Sequence, residues 1–484
     1  MEVLALTSNN PVDETSQLAT TLELFHYQEE ALGKLLKLGG SGGLFLEMGT
    51  GKTRVAIALA RTLRCRRVLV AAPLSTIGVW QRELKICWPS AQFFDCTAST
   101  IRERAQVMLS AVLAGDAPYL CIVGYESYWR EPLRQAILKS QFDIVLYDEA
   151  HRLKGRSSKQ SRFAHRLSKE VKYRVGLTGT PMPNGPEDLF GVYRSLRPEI
   201  FGEVYSNFEY RYIKKGGYLN YQIIGYRNLA ELEAKVAATS FRITKAEALD
   251  LPEQIDVELP IELVEKTRKV YEKLRKAAIA EVEGFIDNTP RQGLALADTV
   301  LTNVLRLQQI TGGWVKVSDG RIIDLSHEKE KALLEILEDA IPGVGRVVIF
   351  CRFRHDIDRL DAAIKWPHYV LDGRSLPKDR QEILDNFKAS PQSVLIAQVA
   401  VGSLGIDLSC ASVAVFYSVD YSLSNYLQSR DRLHRIGQVN RVTYYSLVAR
   451  KTIDEKVYRA LSKKENLART VLDLTRARKL FEES

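Results

Sequence analysis

The segment Phe45-Leu-Glu-Met-Gly-Thr-Gly-Lys-Thr contains residue types that bind phosphate. Its two glycines would let successive backbone N–H groups face a phosphate chain, and the apolar helical pattern that follows would add a favourable helix dipole. In a loop of this kind Lys52 reaches the β- and γ-phosphates of a nucleotide and Thr53 coordinates Mg²⁺. A glycine-rich helix start without a ligand is the alternative. The candidate nucleotide-binding residues are Gly49, Thr50, Gly51, Lys52 and Thr53.

Two adjacent carboxylates, Asp148 and Glu149, end the apolar run that begins at Asp143. At the carboxyl end of a buried strand, Asp148 would hold a metal ion and Glu149 would polarise an attacking water. A carboxylate pair at a strand end is common, and by itself it favours ordinary surface chemistry. Together with the phosphate-binding loop, the pair predicts hydrolysis of a nucleotide.

Phosphoryl transfer also needs positive charge near the developing γ-phosphate. The segment that begins at Gln428 supplies Arg432 and Arg435, which are three residues apart. That spacing predicts that both arginines lie on one face of a helix, from which they would reach a cleft between lobes. A solvated arginine-rich helix is the alternative.

These side chains need strands to position them, and short β-branched runs alternate with amphipathic helical patterns along the chain. That alternation is typical of parallel α/β sheets. The predicted buried strands are 68–72, 119–123, 143–147, 173–177, 346–351, 393–397, 413–417 and 442–447. Because a long segment without this alternation separates the first four from the last four, we expect two sheets.

The separating segment has two parts. Residues 205–227 carry six tyrosines and Phe208 around a Lys214-Lys-Gly-Gly turn, which predicts a small hairpin insertion. Base stacking by these tyrosines is one interpretation, but the small hydrophobic core of a hairpin is favoured. Residues 260–311 are rich in Glu, Lys, Leu and Ala and predict helices. Leu251-Pro-Glu, which lies between the two parts, indicates a domain boundary.

Length and composition limit the class of protein. With 484 residues, 45% of them hydrophobic and 26% charged, the chain has the composition of a globular protein of two or three domains. No apolar run is long enough to span a bilayer and no secretory signal is visible, so we expect a soluble intracellular protein. The six cysteines form no CxxC pair, which argues against a zinc site or a disulfide framework. Residues 1–20 are polar and predict a tail.

The net charge of +9 is unevenly distributed, because residues 1–250 hold 33 basic and 26 acidic side chains, an excess of +7. Between His151 and Arg174 there are nine Lys and Arg residues and a single acid. Four of these cations recur at helical spacing opposite an apolar stripe of Phe163, Leu167 and Val171. They form either a solvated face or a face that follows a phosphate backbone without reading sequence. The four cations are Lys159, Arg162, Arg166 and Lys169.

Further motifs occur in a fixed order along the chain. They are Phe25-His-Tyr-Gln, Met48-Gly-Thr-Gly-Lys-Thr, Ala72-Pro-Leu-Ser-Thr, Asp148-Glu-Ala-His, Leu177-Thr-Gly-Thr-Pro, Val348-Ile-Phe-Cys, Leu371-Asp-Gly, Gly402-Ser-Leu-Gly-Ile-Asp-Leu and residues 428–438. In this order they resemble the motifs of the Swi/Snf-type superfamily-two helicase-like ATPases, DNA translocases that include chromatin remodellers. The resemblance covers nearly the whole chain after residue 20 and suggests a compact bacterial or phage-like member with a DEAH box.

The resemblance implies an α/β fold of two tandem RecA-like lobes with small helical and hairpin insertions. Residues 21–250 would form the ATP-binding lobe, and residues 251–484 would form the C-terminal helicase lobe with its helical insertion at about 260–311. ATP and Mg²⁺ are the implied ligands. Duplex DNA, contacted through its backbone independently of sequence, is the implied partner, and a protein of unknown identity is a further candidate partner.

The resemblance also assigns roles to residues. Gln28 would read adenine, while Gln428, Arg432 and Arg435 match a final motif whose arginines act as fingers across the cleft. Ser75, Thr76 and the loop from Gly402 to Gly405 match segments that contact the nucleic-acid backbone. His151 and Thr178 match positions that couple the nucleotide state to these contacts, and Thr178 is also a candidate nucleic-acid contact. Departures from the family pattern are Leu46, where a small residue is usual, and the added charges of Arg352 and Arg354.

The function that we expect is ATP-driven movement along double-stranded DNA, with hydrolysis at the lobe interface opening and closing the cleft. A strand-separating DNA or RNA helicase is the first alternative, and a nucleotide-dependent scaffold without motor activity is the second. The location would be the cytoplasm of a bacterium or of a virus-infected cell, or the nucleus of a eukaryote. The pathway and the complex that is acted on cannot be deduced from the sequence.

Overall fold

The computed structural model describes residues 24–97, 100–113, 115–216, 222–286, 293–317, 319–400 and 406–472. The expected polar tail at 1–20 and the expected backbone-contacting loop around Gly402 lie outside the described residues. Two compact units are present: the second spans Asp250–Glu465, and the first contains the described residues up to Leu249 together with those from Asn466 onward. Each unit has its own sheet and its own core.

The described strands are three to eight residues long. In chain order they are β1 Gly42–Leu46, β2 Arg67–Ala72, β3 Gln92–Asp95, β4 Tyr119–Gly124, β5 Ile144–Asp148, β6 Tyr173–Leu177, β7 Ile213–Gly216, β8 Gln222–Tyr226, β9 Ser240–Ile243, β10 Gln254–Ile261, β11 Trp314–Lys316, β12 Ile322–Asp324, β13 Arg346–Cys351, β14 His368–Leu371, β15 Ser393–Gln398, β16 Val413–Phe416 and β17 Val442–Ala449.

The described helices alternate with these strands through most of the chain. They are α1 His26–Lys37, α2 Lys52–Thr62, α3 Ile77–Cys87, α4 Ile101–Leu113, α5 Leu133–Lys139, α6 Lys159–Leu167, α7 Asp188–Leu196, α8 Pro198–Phe201, α9 Tyr205–Tyr212, α10 Leu229–Ala238, α11 Lys245–Ala248, α12 Glu265–Ile286, α13 Gly293–Thr311, α14 Glu328–Val344, α15 Arg354–Ala363, α16 Pro377–Ala389, α17 Leu423–Leu433 and α18 Ile453–Leu472.

The first unit is built on a seven-stranded sheet in the order β3-β4-β2-β5-β6-β1-β9. All neighbouring strands in it are parallel. Successive residues of a strand point to opposite faces, so Val68 packs on one side of the sheet and Leu69 on the other. Helices α1 to α3 cover the first face and helices α4 to α7 the second. The central strands are therefore buried on both faces, which is why they contain almost unbroken apolar runs.

The second unit has a six-stranded parallel sheet in the order β10-β17-β16-β13-β15-β14. Its two faces are also covered, by α16, α17 and α18 on one side and by α14 and α15 on the other. The two parallel α/β sheets confirm the predicted fold class. All eight predicted strands are present, with boundaries shifted by no more than a few residues.

Five strands of these sheets were not predicted. Four of them, β3, β9, β10 and β14, lie at sheet edges, where one side of the strand has no partner. Edge strands are half solvated, and β10 accordingly alternates between exposed and half-buried residues instead of forming an apolar run. The fifth, β1, is fully buried but contains two glycines, which weaken a strand pattern.

The tyrosine-rich insertion differs in part from the predicted hairpin. Its first half is helix α9, and only β7 and β8 form an antiparallel hairpin. Tyr205, Phe208 and Tyr212 follow a helical spacing and pack with Phe201, with Phe208 and Tyr212 almost fully buried. The favoured interpretation, a small aromatic core, is therefore correct for these residues. Tyr210, by contrast, is exposed, and Tyr218 and Tyr221 lie outside the described residues.

The helices predicted for residues 260–311 are present as α12 and α13. All six cysteines have free thiols. Among the described residues, no group of His, Cys, Asp and Glu side chains has a metal-binding arrangement. In the same part of the chain, no helix is long and apolar enough to cross a membrane.

One buried ion pair joins three helices of the second unit. The ammonium group of Lys329 lies 2.6 Å from Asp454 Oδ2, and the two side chains are only 3% and 7% exposed. Asp454 Oδ1 accepts a hydrogen bond from Thr311 at the end of α13, and Lys329 also donates to the carbonyl oxygen of Tyr417. Removal of one partner from such a pair leaves an uncompensated charge in the interior.

We expect Asp454→Asn to lower the local free energy of unfolding of the second unit by about 3–5 kcal/mol, because it strands the Lys329 ammonium. Hydrogen exchange of peptides from β16 and α18, followed by mass spectrometry, measures this loss. Lys269→Met is the matched control, since its pair with Glu265 is 74% and 83% exposed. Unchanged protection in Asp454→Asn would contradict the expected contribution of the pair.

Candidate functional site

The phosphate-loop candidate turns β1 into α2 within five residues. Gly49 and Gly51 have φ angles of 83° and 82°, which only glycine adopts without strain. A Cβ atom at Gly51 would also overlap the side-chain amide of Gln28. The ammonium group of Lys52 donates to the carbonyl oxygens of Leu46 and Glu47, at 3.0 and 3.2 Å. The loop is therefore a tight turn in which the Lys52 side chain folds back onto the backbone carbonyl groups that precede it.

Helix α1 fixes this loop from the side. The Tyr27 hydroxyl and the Gln28 amide nitrogen both donate to the carbonyl oxygen of Thr50, at 3.0 and 3.1 Å. Gln28 Oε1 accepts from the backbone N–H of Phe25, and the Gln28 side chain is almost fully buried. The predicted adenine-contacting glutamine thus lies directly against the predicted phosphate loop. Tyr27 was missed, although it is the neighbour of Gln28 in the same motif.

The predicted acids stand at the carboxyl end of β5, which lies two strands from β1 in the sheet. Asp148 is 6% exposed, and its Oδ2 accepts a hydrogen bond of 2.9 Å from the indole N–H of Trp80. Its Oδ1 accepts from the backbone N–H of Glu149 at 3.1 Å. Glu149 itself has a φ angle of 52°, which turns the chain sharply away from the strand. The structure therefore holds the Asp148 carboxylate in a fixed orientation.

The pKa of Asp148 is raised above its usual value of 3.8. Burial is the main cause and the negative charge of Glu149 adds to it, while the Trp80 indole, Lys52 and the Thr76 hydroxyl act in the opposite direction. Lys52 follows β1, and Thr76 and Trp80 both follow β2. The carboxylate thus has cationic and hydrogen-bonding neighbours that favour its charged form in spite of its burial.

The Glu149 carboxylate is linked to the segment after β6. Glu149 Oε2 lies 3.3 Å from His151 Nδ1, and the same ring nitrogen lies 3.2 Å from the Thr178 hydroxyl. Thr178 is fully buried, and its hydroxyl oxygen accepts from the backbone N–H of Thr180 at 3.1 Å. The structure therefore brings the predicted water-activating acid, Glu149, together with His151 and Thr178, the two residues predicted to couple the nucleotide to nucleic acid.

Ser75 and Thr76 lie in a short 3₁₀ turn, Leu74–Thr76, after β2. The Thr76 hydroxyl donates to the carbonyl oxygen of Pro73 at 3.0 Å and is close enough to affect the pKa of Asp148. Thr76, predicted to contact nucleic acid, thus lies beside the candidate metal-binding acid. Leu74 in the same turn is exposed.

The final motif belongs to the second unit and lies on α17. Gln428 is buried, its Nε2 donates to Ser424, and its Oε1 accepts no hydrogen bond from the described residues. Arg432 is on the helix, but α17 ends at Leu433, so Arg435 is not. The prediction that both arginines share one helical face is therefore wrong. The helix stops early because the His434 ring bonds to the carbonyl oxygen of Pro252 and the chain turns there.

The predicted basic stripe is largely a feature of α6. Lys159, Arg162 and Arg166 are exposed on this helix, and Phe163 and Leu167 on its other face are buried. Lys169 is also exposed, but it lies beyond the end of the helix at Leu167 and pairs with Glu203 at 3.1 Å.

The four cations differ in their surroundings. The Lys159 ammonium lies 4.8 Å from the centre of the Trp129 ring. Arg162 and Arg166 form no ion pair within the part of the chain that the structure describes. These two guanidinium groups are therefore the cations of the stripe most available to an external anion.

A family model for the SNF2-related domain matches residues 27–312, which is more than half of the chain. The chain belongs to the SNF2-related family. A second model, the helicase conserved C-terminal domain, matches residues 328–437 of this SNF2-related chain. The resemblance to Swi/Snf-type ATPases inferred from the sequence is confirmed.

Relatives of the SNF2-related chain come from bacteria and eukaryotes. An uncharacterized ATP-dependent helicase of Mycoplasma pneumoniae is 27% identical over 96% of this chain and 44% of its own length. A mouse SWI/SNF-related matrix-associated actin-dependent regulator of chromatin, subfamily A member 1, is 27% identical over 89% of this chain and 42% of its own length. The chain thus spans less than half the length of these relatives.

Among solved structures, the SWI2/SNF2 ATPase core of Sulfolobus solfataricus in complex with dsDNA is similar to this SNF2-related chain. The sequence identity is 23%, the TM-score is 0.43, and the match covers 94% of this chain and 96% of the other.

We expect Trp80→Phe to raise the pKa of the Asp148 carboxyl group further, because it removes a hydrogen bond that favours the carboxylate. Titration of aspartate carboxyl carbons by ¹³C NMR, with Asp148 assigned through Asp148→Asn, measures the change. Trp88→Phe is the control, since Trp88 is also buried but makes no bond to Asp148. A pKa that stays the same or falls in Trp80→Phe would contradict the assigned role.

Proposed function

We propose that this chain is a DNA-dependent ATPase that couples hydrolysis to movement along double-stranded DNA. The observation that carries the proposal is the convergence of three groups in the first unit. The glycine loop with Lys52, the oriented carboxylate of Asp148, and the linked Glu149 and His151 all follow strands of one parallel sheet. Ligand sites of parallel sheets form outside the carboxyl ends of the strands.

The residues present fit ATP and Mg²⁺. The left-handed glycines and the start of α2 would direct backbone N–H groups toward a bound phosphate, and Lys52 would add a cation. The hydroxyl of Thr53 and the carboxylate of Asp148 are oxygen ligands of the kind that Mg²⁺ prefers. Mg²⁺, when bound, would neutralise phosphate charge. Glu149 would orient and deprotonate the attacking water, held in place by its contact with His151.

We assign nucleotide binding to the first unit and assign the second unit, Asp250–Glu465, to the C-terminal helicase-type domain. In the second unit, Arg432 and Arg435 are proposed to supply positive charge to the transferred phosphoryl group. Gln428 is assigned to the same catalytic motif. The names of several relatives, among them an ISWI chromatin-remodeling complex ATPase of yeast, support the use of ATP.

For DNA, the exposed cations of α6 support a contact with the phosphate backbone. Backbone contacts of this kind position a protein without reading sequence, as a motor that moves along DNA requires. Ser75, Thr76, Thr178 and Gly402 are further proposed contacts. Such a protein would act where its DNA lies, in the bacterial cytoplasm, a virus-infected cell or a nucleus.

The proposed activity is tested by phosphate release with and without blunt duplex DNA. We expect duplex DNA to raise the rate for the wild type, and Glu149→Gln to lower the stimulated rate by about 100-fold or more because general base catalysis contributes that much. Equal rates with and without DNA would rule out the translocase. A labelled forked duplex in the same reactions separates translocation from unwinding, since release of a single strand would favour the helicase alternative.

The DNA-contacting face is tested by a charge-neutralising double variant, Arg162→Gln with Arg166→Gln. We expect weaker binding to duplex DNA and a salt dependence of log Kd that is shallower by about two phosphate contacts. Lys266→Gln with Lys273→Gln on α12 is the control, because these lysines are also exposed and carry the same total charge. If both double variants bind alike, the α6 stripe is an ordinary solvated surface.

A further inference from the structure

The chain segment just after the boundary between the two units is tied to the end of α17. His434 Nε2 lies 2.7 Å from the carbonyl oxygen of Pro252, and Gln254 Nε2 lies 2.9 Å from His434 Nδ1. Since a carbonyl accepts and an amide nitrogen donates, the His434 ring carries its proton on Nε2 and accepts at Nδ1. Pro252 is only two residues beyond Asp250, where the second unit begins.

Arg430, one helical turn earlier on α17, holds the same segment. Its guanidinium donates to both carboxylate oxygens of Asp256, at 2.6 and 3.0 Å, and to Gln254 Oε1 at 3.0 Å. The guanidinium lies 4.1 Å from the centre of the Tyr444 ring, and the Arg430 side chain is only 14% exposed. The two parallel hydrogen bonds to Asp256 and the stacking on Tyr444 together fix the orientation of the planar Arg430 guanidinium. A lysine ammonium, which lacks this planar geometry, would not be fixed in the same way.

These contacts form one network in which Gln254 is the bridge. Its amide oxygen accepts from Arg430 and its amide nitrogen donates to His434. Arg430 and His434 lie on either side of Arg432 in the sequence, so the network contacts the helix on both sides of that arginine. Contacts close to the start of the second unit therefore tie the connecting segment to the arginine-bearing helix.

We propose that Arg430 is a positioning residue that couples the connection between the units to the orientation of Arg432. Movement of one unit would displace the peptide around Asp250. The displacement would reach α17 through the contacts of Pro252, Gln254 and Asp256 with that helix and its end. The inference rests on the proposed function, because Arg432 matters only if nucleotide hydrolysis occurs. The coupling acts on the catalytic step and leaves ATP binding, which belongs to the first unit, unchanged.

The test compares Arg430→Met, Asp256→Asn and the double variant in DNA-stimulated ATP hydrolysis. We expect each to lower kcat by about tenfold or more, as misplacement of a catalytic group does, with KM for ATP unchanged within about twofold. The double variant is expected to lose no more than either single variant, because both changes break one interaction.

Arg441→Met is the matched control. Arg441 pairs with Glu253 of the same segment at 3.1 Å, but both side chains are more than 60% exposed, so this exposed pair is expected to contribute little. We expect Arg441→Met to retain wild-type kcat and KM. An equal loss in Arg441→Met would show that any change in this segment matters and would overturn the assignment to Arg430.

Other outcomes are also decisive. If Arg430→Met loses activity but Asp256→Asn, which removes no packing, does not, Arg430 acts only by packing on Tyr444 and the coupling is overturned. Full DNA stimulation in both single variants overturns the inference alone. A wild-type rate that duplex DNA does not raise overturns the proposed function and the inference with it.

Discussion

The first unit depends on the burial of a carboxylate at the carboxyl end of a parallel strand. Asp148 is buried because β5 lies at the centre of a sheet covered on both faces. Its burial would favour the neutral acid, so the surrounding groups must favour the anion if the carboxylate is to bind a cation. The Trp80 indole, Lys52 and Thr76 act in this direction. Lys52 follows β1, whereas Thr76 and Trp80 both follow β2. The order of the strands in the sheet therefore determines the electrostatics of the site.

The parts that could be predicted from the sequence are those with a strong local pattern. The central strands are long apolar runs because they are buried on both faces, and the glycine loop must contain glycine where φ is positive. The same argument explains what was missed. Edge strands such as β10 have mixed patterns, and the contact between Trp80 and Asp148 joins residues 68 positions apart, a pairing that no periodicity reveals.

Two of the errors concern the ends of helices and have one physical origin. A helix was extended through Arg435 and through Lys169 because the charge spacing continued, but spacing does not show where a helix ends. On α17 the end is set by tertiary contacts of His434 with Pro252 and Gln254, which lie about 180 residues earlier in the chain. On α6 the chain turns after Leu167, and Lys169 pairs with Glu203.

The units differ in how they hold their charged groups. In the first unit a buried carboxylate has its charged form favoured by neutral and cationic donors, so its protonation responds to changes in the segments that follow β1 and β2. In the second unit a buried guanidinium is fixed by two carboxylate contacts and an aromatic ring, which leave it little freedom. A responsive anion suits a site that binds and releases a ligand in each cycle. A rigid cation suits an element that transmits displacement, because a loose contact would absorb the movement instead of passing it on to the helix.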